Sequence, residues 1–298
     1  MKIEQQHFQR TRIAPTPNGF LHLGNAFSFV ITAWLAKQTG AAILLRIDDL
    51  DRGRVRREYL RDIFDTLSFL EINWQEGPED VAEFEATYSQ RYRESLYDEA
   101  LHQLANEGKL FACECSRSQL EITAGAGYPG TCRDKNIPLD QPGVSWRIRT
   151  DESSRITMQT LDQGVIETAL PASMKDFIVR KKDGYASYQL ASLRDDIHFG
   201  VDLIVRGEDL FDSTLAQLYL AAALKETIFM EAIFYHHPLL QLNERKLSKS
   251  AGDTSLRYLR GKGFTRRDVY KIIREMMGMM DMKSEQQAKF LSAALEAV

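Results

Sequence analysis

Two polar segments, one near each end of the chain, carry residue types that suit work on a chain of phosphates. The first, Arg12-Ile-Ala-Pro-Thr-Pro-Asn-Gly-Phe-Leu-His-Leu-Gly-Asn25, follows a predicted strand and opens a predicted helix. The N-terminus of a helix offers free N–H groups and a partial positive charge, which favour a phosphate. His22 could donate a hydrogen bond there, and Gly24 would let a ligand approach the backbone. Alone, the segment reads equally well as a turn with an incidental histidine.

The second segment is Gln241-Leu-Asn-Glu-Arg-Lys-Leu-Ser-Lys-Ser-Ala-Gly252. It carries Lys246, Ser248 and Lys249. Mobile lysines can close over a triphosphate and follow its charge as pyrophosphate leaves, which stabilises a transition state electrostatically. The alternative is a solvated basic surface loop.

The first segment lies within a predicted β-α-β unit. Residues 11–15 form a short strand that ends at the prolines, and apolar residues then recur at helical spacing over residues 22–37. Gly40 ends this helix, and the apolar run 41–47 indicates a buried parallel strand. We expect a right-handed crossover between the two strands.

The rest of the chain predicts a doubly wound α/β parallel sheet of the Rossmann type, with an insertion and a short helical C-terminus. Helices are expected at about 55–70, 88–107, 188 onwards, 213–224 and 265–298, and strands at 176–180, 202–206 and 233–236. We divide the chain into the two halves of a catalytic domain (1–109 and 173–250), the insertion (110–172) and a helical subdomain (251–298).

The three cysteines, Cys113, Cys115 and Cys132, all lie in the insertion. An odd, clustered set in a chain without an export signal indicates metal ligands rather than a disulfide framework. Tetrahedral zinc needs a fourth ligand. The candidates are Tyr128, Glu114, Glu121, Asp134 or water, and the alternative is three free buried thiols.

The two polar segments together resemble the signature elements of class I aminoacyl-tRNA synthetases. His22-Leu-Gly-Asn25 is similar to the His-Ile-Gly-His element, and Lys246-Leu-Ser-Lys-Ser250 differs from Lys-Met-Ser-Lys-Ser at one position. The resemblance implies catalytic roles for His22, Lys246 and Lys249. It also implies that these residues bind ATP, a substrate taken with Mg²⁺, together with Gly24, Asn25 and Ser248. Asn25 departs from the family pattern, since an amide cannot become a cation.

The flanking residues resemble glutamyl-tRNA synthetases in particular. The similar elements are the N-terminal segment, Arg46-Ile-Asp-Asp-Leu-Asp51, Tyr185-Ala-Ser-Tyr-Gln-Leu-Ala191 and Ile204-Val-Arg-Gly-Glu-Asp-Leu210. The resemblance implies an L-glutamate site made of Arg12, Ile13, Ala14, Pro15, Thr16, Asp48, Tyr188 and Arg206.

The chemistry of glutamate agrees with this set of residues. Two arginines suit two carboxylates, and an acidic residue suits the ammonium group. Asp48 stands where the family usually has Glu, so its carboxylate reaches about 1.5 Å less far. Each residue alone is better explained as a surface ion pair, and it is the four together, Arg12, Asp48, Tyr188 and Arg206, that favour the glutamate site.

The insertion resembles the zinc-bearing acceptor-end domain of glutamyl-type synthetases, whose pattern is Cys-x-Cys, a loop, then Tyr-x3-Cys. Tyr128-Pro-Gly-Thr-Cys132 fits this pattern. The resemblance implies a structural Zn²⁺ held by Cys113, Cys115, Tyr128 and Cys132.

Only residues 251–298 follow the lysine loop, whereas ordinary glutamyl-tRNA synthetases continue into a large anticodon-binding region. This resembles glutamyl-queuosine tRNA(Asp) synthetases and implies that glutamate is transferred to queuosine at the wobble position of tRNA(Asp). The alternatives are another acceptor, a non-catalytic tRNA-binding paralogue, or a nucleotidylyltransferase of the same superfamily.

Composition limits the partners and the location. The net charge of −4 argues against a protein that holds nucleic acid by bulk attraction, so we expect no DNA partner. With no signal peptide and no apolar membrane span in the sequence, a cytoplasmic location is expected. Local basic residues remain candidates for a tRNA phosphate path or for solvated helix ends: Arg52, Arg54, Arg56, Arg57, Arg257, Arg260, Lys262, Arg266 and Arg267.

Overall fold

A computed structural model describes residues 6–116, 119, 127–151, 153–240, 255–278 and 285–296. The chain forms two compact units. The first contains residues 1–90, 203–208 and 235–298, and the second contains residues 91–202 and 209–234. The four-part division expected from the sequence stays a prediction.

The described residues form nine strands and ten α-helices. The strands are β1 (Arg10–Ile13), β2 (Ala42–Leu45), β3 (Leu110–Cys113), β4 (Ser145–Ile148), β5 (Arg155–Thr160), β6 (Gly164–Ala169), β7 (Ile178–Arg180), β8 (Leu203–Gly207) and β9 (Ile233–His237). The helices are α1 (Leu23–Thr39), α2 (Arg57–Phe69), α3 (Val81–Glu83), α4 (Glu94–Asn106), α5 (Tyr188–His198), α6 (Phe211–Leu224), α7 (Thr227–Glu231), α8 (Leu256–Gly261), α9 (Arg266–Met277) and α10 (Glu285–Glu296).

The sheet of the first unit has the strand order β2-β1-β8 followed by β9, and β1 pairs in parallel with β2 and with β8. The register between β1 and β2 runs from Arg10 opposite Ala42 to Ile13 opposite Leu45. On the other side of β1, Thr11 lies opposite Leu203 of β8. The predicted β-α-β unit is therefore present, with α1 as the connection between its strands.

Helix α1 is buried along most of its length because its sequence is apolar on nearly every side. Gly40 ends it in the left-handed region, at φ 77°. Trp34 packs edge-on against Phe290 of α10, with ring centroids 4.6 Å apart. The Tyr270 hydroxyl of α9 donates to the Leu70 carbonyl at 3.0 Å. The predicted helical C-terminal part thus packs on the first unit.

The second unit contains an antiparallel three-stranded sheet in the order β3-β4-β7. It also contains the β5–β6 hairpin, whose first strand pairs in parallel with the start of β9, Gln159 opposite Ile233. These short strands agree with the composition of the predicted insertion.

A buried ion pair lies in the helical part of the second unit. Arg93 donates to both carboxylate oxygens of Asp195 on α5, at 2.7 and 3.0 Å. The Tyr97 hydroxyl of α4 adds a 2.7 Å bond to the same carboxylate. Since a buried charge is tolerated when it is paired and hydrogen-bonded, this group holds α4 against α5.

The helix predicted at 88–107 begins later than expected. Residues Phe84–Tyr88 form a π-helical turn and Gln90–Arg93 a 3₁₀ turn, so the α-helix starts at Glu94. The reason lies in Asp49, which accepts from the Ser89 hydroxyl at 2.6 Å and from the Gln90 N–H at 2.8 Å. These bonds hold residues 89–90 at the loop after β2.

Across the described part of the chain, no helix has both the length and the apolar character that a bilayer crossing requires.

A substitution at Gly77 tests how closely this residue packs against Leu45 of β2. Its φ is +102°, and a Cβ there would lie 2.2 Å from the Leu45 carbonyl oxygen. Gly77→Ala is expected to lower the free energy of unfolding by about 3 kcal/mol or more, because the backbone must move. In the matched control Gly40→Ala, φ is also positive but the nearest atom is 3.8 Å away. That control should lose only about 1 kcal/mol in urea unfolding. Equal losses in the two variants would contradict the assigned clash.

Candidate active site and metal centre

The carboxyl ends of β1, β2 and β8 bring together three of the predicted glutamate-site residues. Arg12, Asp48 and Arg206 are all buried. The Arg12 Nη1 donates to the carbonyl of Val205 in β8 at 3.0 Å. The chain after β2 continues beside β1, since the Asp48 N–H donates to the Pro15 carbonyl at 3.0 Å. Two guanidinium groups and a carboxylate therefore occupy one edge of the sheet, where open α/β sheets bind ligands.

Asp48 is held by a residue that the sequence interpretation did not assign. Arg46 donates from Nε and Nη2 to the two carboxylate oxygens of Asp48, at 2.7 and 3.0 Å, and both residues are buried. A bidentate pair of this kind fixes the plane of the carboxylate. Residues two apart in an extended chain share a face, so the Arg46-Ile-Asp48 spacing is the signal that could have found it.

The remaining predicted glutamate residues lie in different environments. Ile13 and Pro15 are buried, Ala14 is half-buried, and Thr16 is exposed. Tyr188 belongs to the second unit, where it is the first residue of α5 and 39% exposed.

His22 is the N-cap of α1. Its Nδ1 accepts from the Gly24 N–H at 3.1 Å, while the Asn25 side-chain oxygen accepts from the His22 N–H at 2.9 Å. This reciprocal pair is a capping box built from His and Asn. A Cβ at Gly24 would lie 3.0 Å from Cε1 of His22, so the glycine makes room for the imidazole.

The cap fixes the tautomer of His22. His22 is exposed overall, but partial desolvation lowers its pKa below the ordinary value of 6.5, which favours the neutral imidazole at pH 7. Because Nδ1 accepts a hydrogen bond, the proton resides on Nε2, which can donate to an anion.

Lys246, Ser248 and Lys249 lie outside the described residues, and the description resumes at Ser255. Ser255 forms an antiparallel β-bridge with His22. The N–H of Leu256 donates to the Leu21 carbonyl at 2.7 Å. The segment that follows the predicted lysine loop is thus bonded to the residues that open α1.

The three cysteines converge in the second unit. Their sulfur atoms lie within 4.8 Å of one another, and Cys115 and Cys132 are 3.6 Å apart. Disulfide-bonded sulfurs are about 2.05 Å apart, so these thiols are free. The Tyr128 hydroxyl lies 3.4 Å from the Cys113 sulfur.

These distances suit four ligands around one ion. Ligands placed tetrahedrally at about 2.3 Å from zinc lie about 3.8 Å from one another. The 3.4 and 3.6 Å separations are close to that value. The four side chains can therefore hold a metal ion with little rearrangement.

The cluster already favours negative charge at one sulfur. Burial opposes ionisation of Cys113, but hydrogen bonds from Tyr128, the Cys115 backbone and Arg147 lower its pKa to about 7. Burial and the neighbouring thiols raise the pKa of Cys115 to about 11, and burial raises the pKa of Tyr128. The Arg147 guanidinium lies 3.9 Å from the centre of the Tyr128 ring. Arg147 supplies a buried positive charge that the sequence interpretation did not assign to this site.

The basic residues considered for a phosphate path are mostly ion-paired in the first unit. Arg57 pairs with Glu85, Arg257 with Glu58, Arg260 with Asp62, Arg266 with Glu71 and Arg54 with Asp51. Of these pairs, Arg260–Asp62 has a buried carboxylate. The others are more exposed and contribute about 0–1 kcal/mol each, so exchanging their acidic side chains for a phosphate is inexpensive.

The capping role of His22 is testable separately from any chemistry. His22→Ala is expected to lower the free energy of unfolding by about 1 kcal/mol, whereas His22→Asn keeps an N-cap acceptor and should lose less than about half of that. His102→Ala, at an exposed histidine of α4, is the control. Urea unfolding followed by circular dichroism measures all three variants, and equal stability of the Ala and Asn variants would refute the cap.

The contribution of His22 should also depend on pH. Since the folded pKa lies below 6.5, the cap is present above pH 6.5 and is lost as the pH falls through the folded value. The stability difference between the wild type and His22→Ala should therefore shrink as the pH falls below 6.5.

Two solved structures share the fold of this chain. A glutamate-tRNA synthetase from Elizabethkingia anophelis matches with a TM-score of 0.72 at 19% identity, over 97% of this chain. A glutamate tRNA ligase from Elizabethkingia meningosepticum, in complex with its amino acid, matches with a TM-score of 0.71 at 20% identity, over 97% of this chain. The chain spans 65% and 64% of their lengths. At these identities the likeness shows the fold, and it confirms the predicted α/β class.

Relatives found by sequence comparison share a higher identity with this chain than these two structures do. A glutamyl-Q tRNA(Asp) synthetase of Symbiobacterium thermophilum is 36% identical over 91% of this chain and 87% of its own length. One from Nitratidesulfovibrio vulgaris is 33% identical over 91% and 87%. A glutamate–tRNA ligase of Anaeromyxobacter sp. strain K is 33% identical over 86% of this chain and 54% of its own length. The family described as tRNA synthetases class I (E and Q), catalytic domain, matches residues 9–294. The chain belongs to this family of class I synthetases and is an enzyme of the ligase type.

Proposed function

We propose that this chain activates L-glutamate with ATP to form glutamyl-adenylate and transfers the glutamyl group to queuosine at the wobble position of tRNA(Asp). The observation that carries the choice of glutamate is the charge pattern at the sheet edge, where Arg12 and Arg206 lie buried with Asp48. The names of the closer relatives support the choice of acceptor.

The charge pattern matches glutamate group by group. Its two carboxylates require two cations, and guanidinium groups bind carboxylates in bidentate fashion. Its ammonium group requires an anion, which Asp48 supplies. Because Arg46 donates to both oxygens of Asp48, the carboxylate is held in one orientation, although it is one methylene shorter than the family's glutamate.

The first step joins glutamate to AMP. An oxygen of the α-carboxylate attacks the α-phosphorus of ATP, the bond to the β-phosphate bridging oxygen breaks, and pyrophosphate leaves with that electron pair. The nucleophile is already ionised, so no general base is needed. The neutral His22 donates from Nε2 to a phosphate oxygen, while Lys246 and Lys249 follow the charge on the leaving group. Mg²⁺ bound with ATP neutralises part of the phosphate charge.

In the second step, a hydroxyl of the acceptor attacks the glutamyl carbonyl, and AMP leaves. Two acceptors have specific support. Queuosine is favoured by relatives named glutamyl-Q tRNA(Asp) synthetase, and the tRNA 3′ end by the 33% identity to a glutamate–tRNA ligase.

Transfer of labelled glutamate separates these acceptors. Purified chain, ATP and labelled glutamate are incubated with tRNA(Asp) that carries queuosine and with tRNA(Asp) that carries guanine at the wobble position. Label on the first only, formed equally well after its 3′-terminal adenosine has been removed, supports the proposal. Label that requires an intact 3′ end instead favours ordinary charging.

A substitution of Lys249 tests the proposed activation of glutamate by ATP. Lys249→Ala is expected to slow AMP formation from ATP, glutamate and acceptor tRNA by about 10²-fold or more, because it removes a positive charge that is proposed to stabilise the leaving pyrophosphate. Lys271→Ala, at an exposed lysine of α9, is the matched control and should leave the rate unchanged. A near-normal rate in Lys249→Ala would refute the assigned role.

We also propose that Cys113, Cys115, Cys132 and Tyr128 hold a structural zinc ion. The near-tetrahedral separations and the three sulfur donors support zinc over a hard cation. The bound ion would join the end of β3 to the loop at 128–132. The nearby Arg147 guanidinium offsets the negative charge that such a ligand set accumulates.

Metal analysis tests this site. The purified chain should contain about one zinc ion, and Cys113→Ser should lose it. Tyr128→Phe is expected to release zinc to a chelator about tenfold faster, while the control Tyr92→Phe, at a half-exposed tyrosine of the same unit, should not. Release from Tyr128→Phe at the wild-type rate would place the fourth ligand elsewhere.

A further inference from the structure

Asp62 is a buried carboxylate on the apolar face of α2. It is 2% exposed and shares that face with the buried residues Leu60, Ile63 and Leu67. Burial raises the pKa of Asp62, which reflects the cost of placing a charge there. A charged group is rarely kept in such a place unless specific partners compensate it.

Each oxygen of Asp62 accepts a hydrogen bond from a different part of the first unit. Oδ2 accepts from the backbone N–H of Leu21 at 2.9 Å. Oδ1 accepts from Nη2 of Arg260 at 2.5 Å. Nη1 of Arg260 also donates to the hydroxyl of Thr66, one turn further along α2, at 3.3 Å. The guanidinium is therefore held by two side chains of one helix.

The two partners of Asp62 adjoin the two segments proposed to bind ATP. Leu21 directly precedes His22, the cap of α1. Arg260 lies on α8, which begins at Leu256, shortly after the segment that contains Lys246 and Lys249. The backbone bond from Leu256 to Leu21 and the bridge between Ser255 and His22 already join these segments. Asp62 accepts a hydrogen bond from each of these segments, from Leu21 and from Arg260.

We propose that Asp62 is a positioning residue that fixes the start of α1 relative to residues 255–261, the described segment that follows the predicted lysine loop. This inference rests on the proposed ATP-dependent function. The phosphates of ATP must meet His22 and the loop lysines at the same time, and small displacements of such groups are costly in rate. A carboxylate suits the task because it offers two acceptor oxygens to two donors. An amide would turn an N–H donor toward one of them.

Asp62→Asn tests this role against Asp65→Asn, which removes the same charge from an exposed position of the same helix. Hydrogen exchange without substrate is measured first. Asp62→Asn should speed exchange of the Leu21 and Leu256 amides about tenfold, and Asp65→Asn should leave it unchanged. Unchanged exchange in Asp62→Asn would overturn the proposal.

Kinetics supply the second readout. In glutamate-dependent ATP–pyrophosphate exchange, Asp62→Asn should raise the KM for ATP about tenfold, with the KM for glutamate within about twofold of the wild type. An equal change in both KM values would indicate a merely structural residue and overturn the proposal. If the wild type shows no exchange with any amino acid, the proposed function fails, but the amide measurements still decide the link between the segments.

Arg260→Gln covers the case in which Asp62→Asn does not fold. It keeps Asp62 and its bond to Leu21, so exchange should quicken over residues 255–261 and stay slow at Leu21. Arg61→Gln, at an exposed arginine of α2, is its control. Equal exchange in Arg260→Gln and Arg61→Gln would overturn the link to the loop.

Discussion

The parallel pairing of β1 with β2 and β8 is the constraint on which the proposed glutamate site depends. It places the carboxyl ends of three strands at one edge, so that side chains far apart in the sequence become neighbours. The pairing continues past the strands through the bond from Asp48 to Pro15. A shift of one residue would turn Arg12 to the opposite face of the sheet, because alternate side chains point to opposite faces. The register of β1 thus sets which charges the site presents.

His22 has two roles at the start of α1. It caps the helix and, in the proposed mechanism, donates a hydrogen bond to a phosphate oxygen. His22 and Asn25 form the capping box, and this use of Nδ1 leaves the imidazole proton on Nε2. The structure also changes the interpretation of Gly24, which makes room for the imidazole as well as exposing the helix backbone. Asn25 keeps a structural task, because its side-chain oxygen is bonded to the His22 N–H although it cannot replace a second histidine as a cation.

Much of this arrangement could be predicted from the sequence, because local signals determine it. The prolines, Gly40 and the apolar periodicity predict β1, α1 and β2 to within a few residues. The Cys-x-Cys and Tyr-x3-Cys spacing brings four side chains together as expected. Arg147, Asp62 and the later start of α4 could not be predicted. Their roles depend on contacts between residues distant in the sequence, which no local pattern reports. The local signal for the role of Asp62 is its position as an acidic residue among the apolar residues of α2.

In the proposed mechanism, the charges at the sheet edge select glutamate for activation by ATP. The most direct test is ATP–pyrophosphate exchange by the purified chain without tRNA, with each amino acid supplied separately. We expect exchange with L-glutamate to exceed exchange with glutamine or aspartate by about 10²-fold or more, because glutamine lacks the second carboxylate and aspartate carries it one methylene short. Exchange driven equally well by another amino acid, or by none, would contradict this mechanism.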